Sequence, residues 1–369
     1  MVSGDFVTTG GMDRANYALA DFLLRMGTDV DLVTHRVANT LTHYPKLALH
    51  IVPKPLGSYF LGERFIDREG RRLAKQVLEN GGRVVVNGGN CIFGDVNWVH
   101  YVHAAYRPQI RSISRRMKQF IERPLLLKRE RLALLSAKTV ITNSNQTKTA
   151  VEQAYGISNN RIKTIYYGTD ANRFRPASLE ERSSLRANFD WDESPRVVFI
   201  GALGDRRKGF DILIEAWETL VTTKRWDAKL VVIGAGVEKA TWQKRVTESG
   251  IDHSVSFLGF REDVDQILKA ADCLVAPTRY EAYGLGVHEA LCCGLPALVS
   301  ADAGVAERYP QSLAWMKLPN PSTSKVLADR LIQWRSRLCD VAPEIHRFGE
   351  KLRQRTWDNM AQDFLEFVL

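Results

Sequence analysis

The chain has no run of eighteen or more uncharged apolar residues, which excludes a membrane-spanning helix by length. It has no basic segment followed by an apolar one at its start, so no secretion signal is legible. Cysteine is scarce: Cys91, Cys273, Cys292, Cys293 and Cys339 form no Cys-x-x-Cys pair. An odd, scattered set reads as reduced thiols of a cytosolic protein, with vicinal Cys292 and Cys293 as helix-packing residues. Zinc-finger, RRM and helix-turn-helix signatures are absent, which argues against a nucleic-acid partner. No internal repeat and no low-complexity tract is present.

What is present is an ordinary globular composition, 45% hydrophobic over 369 residues, enough for two cores. The net charge of +9 is uneven. In residues 1–170, Lys and Arg outnumber Asp and Glu 24 to 14, and the remainder is close to neutral. The densest basic stretch runs from Arg107 to Arg131. It can face anionic lipid headgroups or a phosphorylated acceptor, or form one solvated face of a surface helix.

Apolar strands alternate with amphipathic runs, the pattern of parallel α/β sheets. Strands are expected at Asp29–Thr34, Arg83–Val86, Val99–His103 and Thr139–Thr142, and helices at Arg14–Arg25 and Phe65–Leu78. Gly27 and Gly81-Gly82 stop those helices. Met1–Gly4 is too short for a full first strand. A charged, proline-punctuated stretch at Ala171–Pro195 reads as an interdomain linker. The rhythm then restarts. Strands are expected at Arg196–Ile200, Lys229–Ile233, Val255–Leu258, Cys273–Pro277 and Ala297–Ser300. Helices are expected at Phe210–Thr219, Thr241–Ser249, Val264–Ala270, Val287–Cys292 and Trp357–Leu369. The reading is two doubly wound domains with ligand held in a cleft between them.

Four sequence features carry chemistry. Glu281 and Glu289 flank a turn at Gly284 that opens a helix, closed by Gly294-Leu295-Pro296. Free N–H groups there suit a diphosphate, and the carboxylates suit sugar and ribose hydroxyls. In the glycine-rich turn from Gly201 to Gly209, which includes Asp205, Arg206, Arg207 and Lys208, cations can stabilise a leaving diphosphate. That turn is not a P-loop. Gly10-Gly11-Met12-Asp13-Arg14 lets backbone approach a ligand at a helix start, or is a plain turn. It is not a nicotinamide fingerprint. His100 and His103 end an apolar strand on opposite faces, which argues against a shared metal ion. The pairs Asp29/Asp31 and Asp263/Asp265 have spacings that hold metal on a diphosphate in other transferases, but each has a structural explanation.

Taken in order, these pieces resemble the retaining family 4 glycosyltransferases of the GT-B fold. The resemblance rests on Asn143/Ser144/Thr147, Gly168/Asp170/Arg173/Phe174/Pro176, Lys208/Gly209 and Glu281/Glu289. It implies two Rossmann-like domains facing a central cleft. An acceptor domain would span 1–172, a nucleotide-sugar domain 173–352, and a final helix at 353–369 would pack back on the first. It implies that Lys208 and Arg207 hold the donor diphosphate and Glu281 contacts the transferred sugar. The amides of Tyr283, Gly284 and Leu285 would bind phosphate and sugar oxygens, and Glu289 the ribose. Gly11 would let the acceptor-side loop approach the donor diphosphate, and His103 would lie near the reacting sugar carbon. The family's Gly-Arg is here Gly201-Ala202, so Arg206 or Arg207 would supply the missing cation. Its Gly-Gly is here Ala303-Gly304, with Glu307 close behind.

The expected activity is retaining, metal-independent transfer of a hexose from a UDP- or GDP-sugar to a saccharide or lipid-linked hydroxyl. No cofactor is expected. The expected setting is cytoplasmic, with peripheral contact to an anionic membrane. The competing readings are another GT-B enzyme such as an epimerase or phosphorylase, a non-catalytic sugar-nucleotide sensor, and a basic scaffold.

Overall fold

A computed structural model describes residues 1–110, 112–204, 206–223 and 226–368, with the Cys339 side chain excepted. Readings that touch Arg111, Asp205, the Cys339 side chain and Leu369 lie outside the described residues. The chain divides into two units. Unit 1 is Met1–Arg107, Arg111–Gly168 and Arg355–Leu369, and unit 2 is Pro108–Ile110 and Thr169–Gln354.

In unit 1 the chain runs β1 (Asp5–Phe6), α1 (Gly11–Arg25), β2 (Val30–Thr34), β3 (Arg36–Val37), β4 (Leu47–Ile51) and α2 (Tyr59–Glu79). It continues through β5 (Val85–Asn87), β6 (Val96–Val99), α3 (Ile113–Ser136), β7 (Thr139–Thr142), α4 (Asn145–Tyr155) and β8 (Ile162–Thr164). Strands β2 and β4 pair in parallel, as do β5, β6, β7 and β8 in that order. Val2 bridges Val33 on one side and Val86 on the other. Its N–H donates to the Val85 carbonyl at 2.8 Å, and the Val33 N–H donates to the Met1 carbonyl at 3.0 Å. The short opening segment Met1–Gly4 is therefore a stitch that joins two half-sheets. Val2, Val33, Ile66 and Val86 are buried together around it.

One strand lies earlier than expected: β6 is Val96–Val99 and shares only Val99 with the expected segment. Apolar alternation suggested Val99–His103, but pairing stops at Val99, opposite Thr142. Side chains capture the next backbone groups. The Asn143 amide donates to the His100 carbonyl at 3.1 Å. His103–Ala105 then forms a single 3-10 turn. Both histidines thus lie beyond the paired strand, with Tyr101 and extended Val102 between them and the turn beginning at His103.

Unit 2 contains α5 (Leu179–Asn188), β9 (Arg196–Ile200), α6 (Phe210–Thr223), β10 (Lys229–Ile233), α7 (Lys239–Glu248), β11 (Val255–Gly259) and α8 (Val264–Ala270). It continues with β12 (Cys273–Ala276), α9 (Leu285–Cys292), β13 (Ala297–Ser300), β14 (Lys317–Leu318), α10 (Ser324–Ser336) and α11 (Leu338–Arg353). Its sheet is parallel in the order β11-β10-β9-β12-β13-β14. Helices cover both faces, so central strands such as Val197–Phe199 and Leu230–Ile233 are buried throughout. The order reverses between β9 and β12, the point where open α/β sheets hold ligands.

The expected linker at Ala171–Pro195 is instead part of unit 2. Ser178 caps α5 by accepting from the Glu181 N–H at 3.1 Å. Arg182 and Arg186 reach Asp272 at 2.7 and 3.3 Å. Its charges are satisfied by the unit rather than by solvent. The chain returns to unit 1 as α12 (Trp357–Val368). Arg25 of α1 meets Asp358 at 2.6 Å, and Phe364 packs on Trp98 with ring centroids 4.9 Å apart. Gly168 is required here, because a Cβ would stand 2.2 Å from the Thr356 backbone.

Candidate active site

The turn after β9 and the turn after β12 meet at the topological switch of unit 2. Backbone and side chain stitch them together. The Arg279 N–H donates to the Arg207 carbonyl at 2.8 Å, and the Arg279 guanidinium to the Arg206 carbonyl at 2.7 Å. The same guanidinium grips Asp211 at the start of α6 with two bonds, at 2.7 and 2.8 Å. Arg207 donates to the Tyr280 carbonyl at 3.2 Å. Gly209 sits at φ +71°, and a Cβ there would fall 1.8 Å from the Pro277 carbonyl oxygen. Only glycine lets the two turns come this close.

This stitching brings three expected residues together. Lys208 Nζ donates to Glu281 Oε2, and Arg207 Nη1 lies 3.7 Å from the same oxygen. Burial pushes the Glu281 carboxyl up, but Lys208 and Arg207 outweigh it and hold it below the ordinary carboxylate range. Arg206 faces elsewhere. It lies 3.7 Å from Asp211 and stacks over Trp242 at 5.7 Å. Of the two arginines expected to supply the missing cation, Arg207 is the one beside Glu281.

After Glu281 and Ala282, Tyr283 and the N-cap Gly284 lead into α9, which opens at Leu285. Gly284 has φ +105°, and a Cβ would meet Val305 at 3.0 Å and Glu281 Cγ at 3.3 Å. The Gly304 N–H donates to the Glu281 carbonyl at 3.1 Å, so the Ala303-Gly304 turn braces this loop. The Tyr283 hydroxyl shares a 2.9 Å bond with His288 Nδ1. Glu289 is buried on the same helix. The result is two cations, a carboxylate and a helix N-terminus at one strand crossover, able to bind a polyanion.

Gly11 and His103 belong to unit 1. Gly11 is the first residue of α1, after Gly10 at φ +82°. Beside it stands a carboxylate cluster that the sequence did not reveal. Asp5 accepts from Arg36 Nε at 3.0 Å and from the Tyr59 hydroxyl. Burial and then the Asp5 charge push the Asp13 carboxyl up to about 7. His100 is buried, between the Tyr167 hydroxyl and Asn16 Oδ1 at 3.3 Å, and burial lowers its imidazole to about 3. His103 is half-exposed and bonded to Glu130. Three of the four Asp-x-Asp carboxylates are engaged by arginine or histidine: Asp31 with His50 at 2.8 Å, Asp263 with Arg261, and Asp265 with Arg173 at 2.7 Å. No described helix is long and apolar enough to cross a membrane.

Two parallel α/β units with a cation-lined switch point define a class, and comparison with known proteins identifies it. Residues 9–173 match the family model for glycosyltransferase family 4, and residues 194–334 that for glycosyl transferases group 1. The chain belongs to the family 4 glycosyltransferases and has the GT-B fold class. It is 29% identical over 241 residues to an uncharacterised glycosyltransferase of Methanocaldococcus jannaschii, covering 63% of this chain and 60% of that one. It is 31% identical over 173 residues to the GDP-mannose-dependent monoacylated alpha-(1-6)-phosphatidylinositol monomannoside mannosyltransferase of Corynebacterium glutamicum, 44% of each chain. The matches thus span less than two thirds of these relatives' length. The fold is like that of Anabaena HepE, solved in complex with UDP, with a TM-score of 0.70 at 20% identity over 99% of this chain and 98% of that one.

Proposed function

We propose that the protein transfers a hexose from a UDP- or GDP-sugar to a hydroxyl of a saccharide or lipid-linked acceptor, with retention of anomeric configuration. The observation that carries this reading is the Arg207–Lys208–Glu281 cluster at the switch point, beside the α9 N-terminus. As the sugar–phosphate bond breaks, charge grows on the leaving diphosphate. Arg207, Lys208 and the amides of Tyr283, Gly284 and Leu285 meet that charge, and fixed donors of this kind act most strongly in the transition state. Glu281 would then exchange part of its hold on Lys208 for a sugar hydroxyl, and Glu289 would accept from the ribose. The leaving diphosphate would take the acceptor proton on the same face of the sugar. In this reading the cations do the electrostatic work, and transfer persists in chelator. The names of two similar proteins, one GDP-mannose-dependent and one solved with UDP, support the donor class.

Unit 1 would supply the acceptor side through Gly11 and His103, on a membrane surface. Along α3, Ile113, Met117, Phe120 and Ile121 recur at helical spacing and are 65–81% exposed. Arg115, Arg116, Lys118 and Arg123 lie among them. An apolar stripe among cations fits the interface of an anionic bilayer.

The test is a thermal-shift screen of UDP-, GDP- and ADP-sugars, followed by transfer assays. A ligand at one hundred times its Kd adds about 2.7 kcal/mol to native stability. Lys208→Ala and Glu281→Gln are expected to lower transfer by about 10²-fold or more while the fold persists. Wild-type turnover in either variant refutes the site.

A further inference from the structure

Glu130 lies on α3 and is 1% exposed, yet it is a carboxylate. A buried carboxylate needs donors, and four groups supply them. The His103 N–H donates to Oε1 at 2.9 Å and the His103 ring nitrogen Nδ1 lies 3.0 Å from the same oxygen. The Ala104 N–H reaches Oε2 at 3.4 Å, and the Tyr155 hydroxyl of α4 donates to Oε2 as well. Tyr101 stands edge-on to the imidazole at 4.9 Å. Among the described residues the ring is hydrogen-bonded through Nδ1 alone, and the His103 side chain is 43% exposed.

We infer that Glu130 is a positioning residue that, in the neutral form of the ring, holds His103 in the Nδ1–H tautomer and leaves Nε2 as a hydrogen-bond acceptor for a ligand hydroxyl. The argument is one of donor and acceptor inventory. An ionised carboxylate only accepts, so Nδ1 must carry the proton. A neutral imidazole has one donor and one acceptor, so Nε2 then offers a lone pair. Free histidine prefers the opposite form. The group opposite Nε2 must therefore bring a proton: an alcohol fits, and a phosphate oxygen or carboxylate does not. This deepens the role proposed for His103 and rests on His103 facing a ligand. The tautomer itself does not depend on that reading.

The experiment is long-range ¹H–¹⁵N correlation of the histidine rings at about pH 8.5, where an ordinary imidazole is neutral. No substrate is added. His35 is the internal fold reporter, because its Nδ1 faces the Val52 carbonyl at 3.0 Å. Wild-type His103 is expected with a protonated Nδ1 and a bare Nε2. In Glu130→Leu it is expected to revert to the Nε2–H-rich mixture, with His35 unchanged. Glu130→Gln should restore the wild-type pattern, because its amide oxygen can replace Oε1 while its NH₂ faces Tyr155. A wild-type ring protonated at Nε2 overturns the inference, as does Glu130→Leu keeping the Nδ1–H form with His35 intact. If His35 signals show that Glu130→Leu has not folded, the wild-type ring decides alone. Such a failure leaves the transferase reading standing, since that is judged by Lys208 and Glu281.

Discussion

At the residue scale, Glu281 and Asp13 are two carboxyls tuned in opposite directions, and each gives a pH test. The folded carboxyl of Glu281 lies below its unfolded value of about 4.3. Its contribution is therefore present above that pH and lost as pH falls through the folded value. Relative to Glu281→Gln, the wild-type melting temperature should drop on acidification from pH 6 to 3. A constant difference would contradict the ion pair. Asp13 is raised to about 7, so its contribution is full below about pH 4 and lost as pH rises through 7. Its carboxyl carbon should titrate by NMR near pH 7, and a midpoint near 4 would remove the Asp5–Asp13 coupling. Glu281 and Lys208 were legible in the sequence because strand, glycine turn and helix punctuate them locally. Arg279 and Glu130 were not. Their meaning lies in Asp211, 68 residues away, and in His103, 27 residues away.

At the element scale, the strands β9 to β13 of unit 2 were legible almost to the residue, because their apolar runs are short and bounded and most are buried on both faces, whereas the two-residue β14 was not. The expected strand at Val99–His103 misled for the converse reason: β6 is Val96–Val99, and only Val99 is shared. Apolar alternation continued after Asn143 and Glu130 had already captured the backbone. Charge alone also hid the character of α3. Its basic residues were visible, but an exposed apolar stripe can be recognised only once burial is known. Charge reversal at Arg115 and Arg116, or Phe120→Ser with Ile121→Ser, should weaken co-sedimentation with anionic vesicles. Each lost cation should cost about 1 kcal/mol near the surface. Unchanged sedimentation would make α3 a solvated helix. The turn that carries Arg207 and Lys208 depends on Gly209. Gly209→Ala combines a left-handed φ with a backbone clash, and should destabilise unit 2 by roughly 2 kcal/mol or more in chemical denaturation.

At the scale of the whole molecule, two α/β units were legible from the restart of the strand–helix rhythm near residue 196. The ordered state of residues 171–195 was not, because α5 is as charged as a linker and becomes an ordered part of unit 2 through Asp272. Removal of residues 355–369 should lower hydrogen-exchange protection in β5, β6 and β7 while β9, β10 and β12 keep theirs. Equal loss in both units would show that they do not unfold separately. The same helix bears on biosynthesis. Residues 1–168 leave the ribosome first, then wait while Thr169–Gln354 is made, roughly 10–40 s at 5–20 residues per second. Throughout that interval the indole of Trp98 lacks the ring that will cover it. The nascent chain therefore carries this uncovered aromatic surface until α12 emerges, and a holdase acting before then would have a target there.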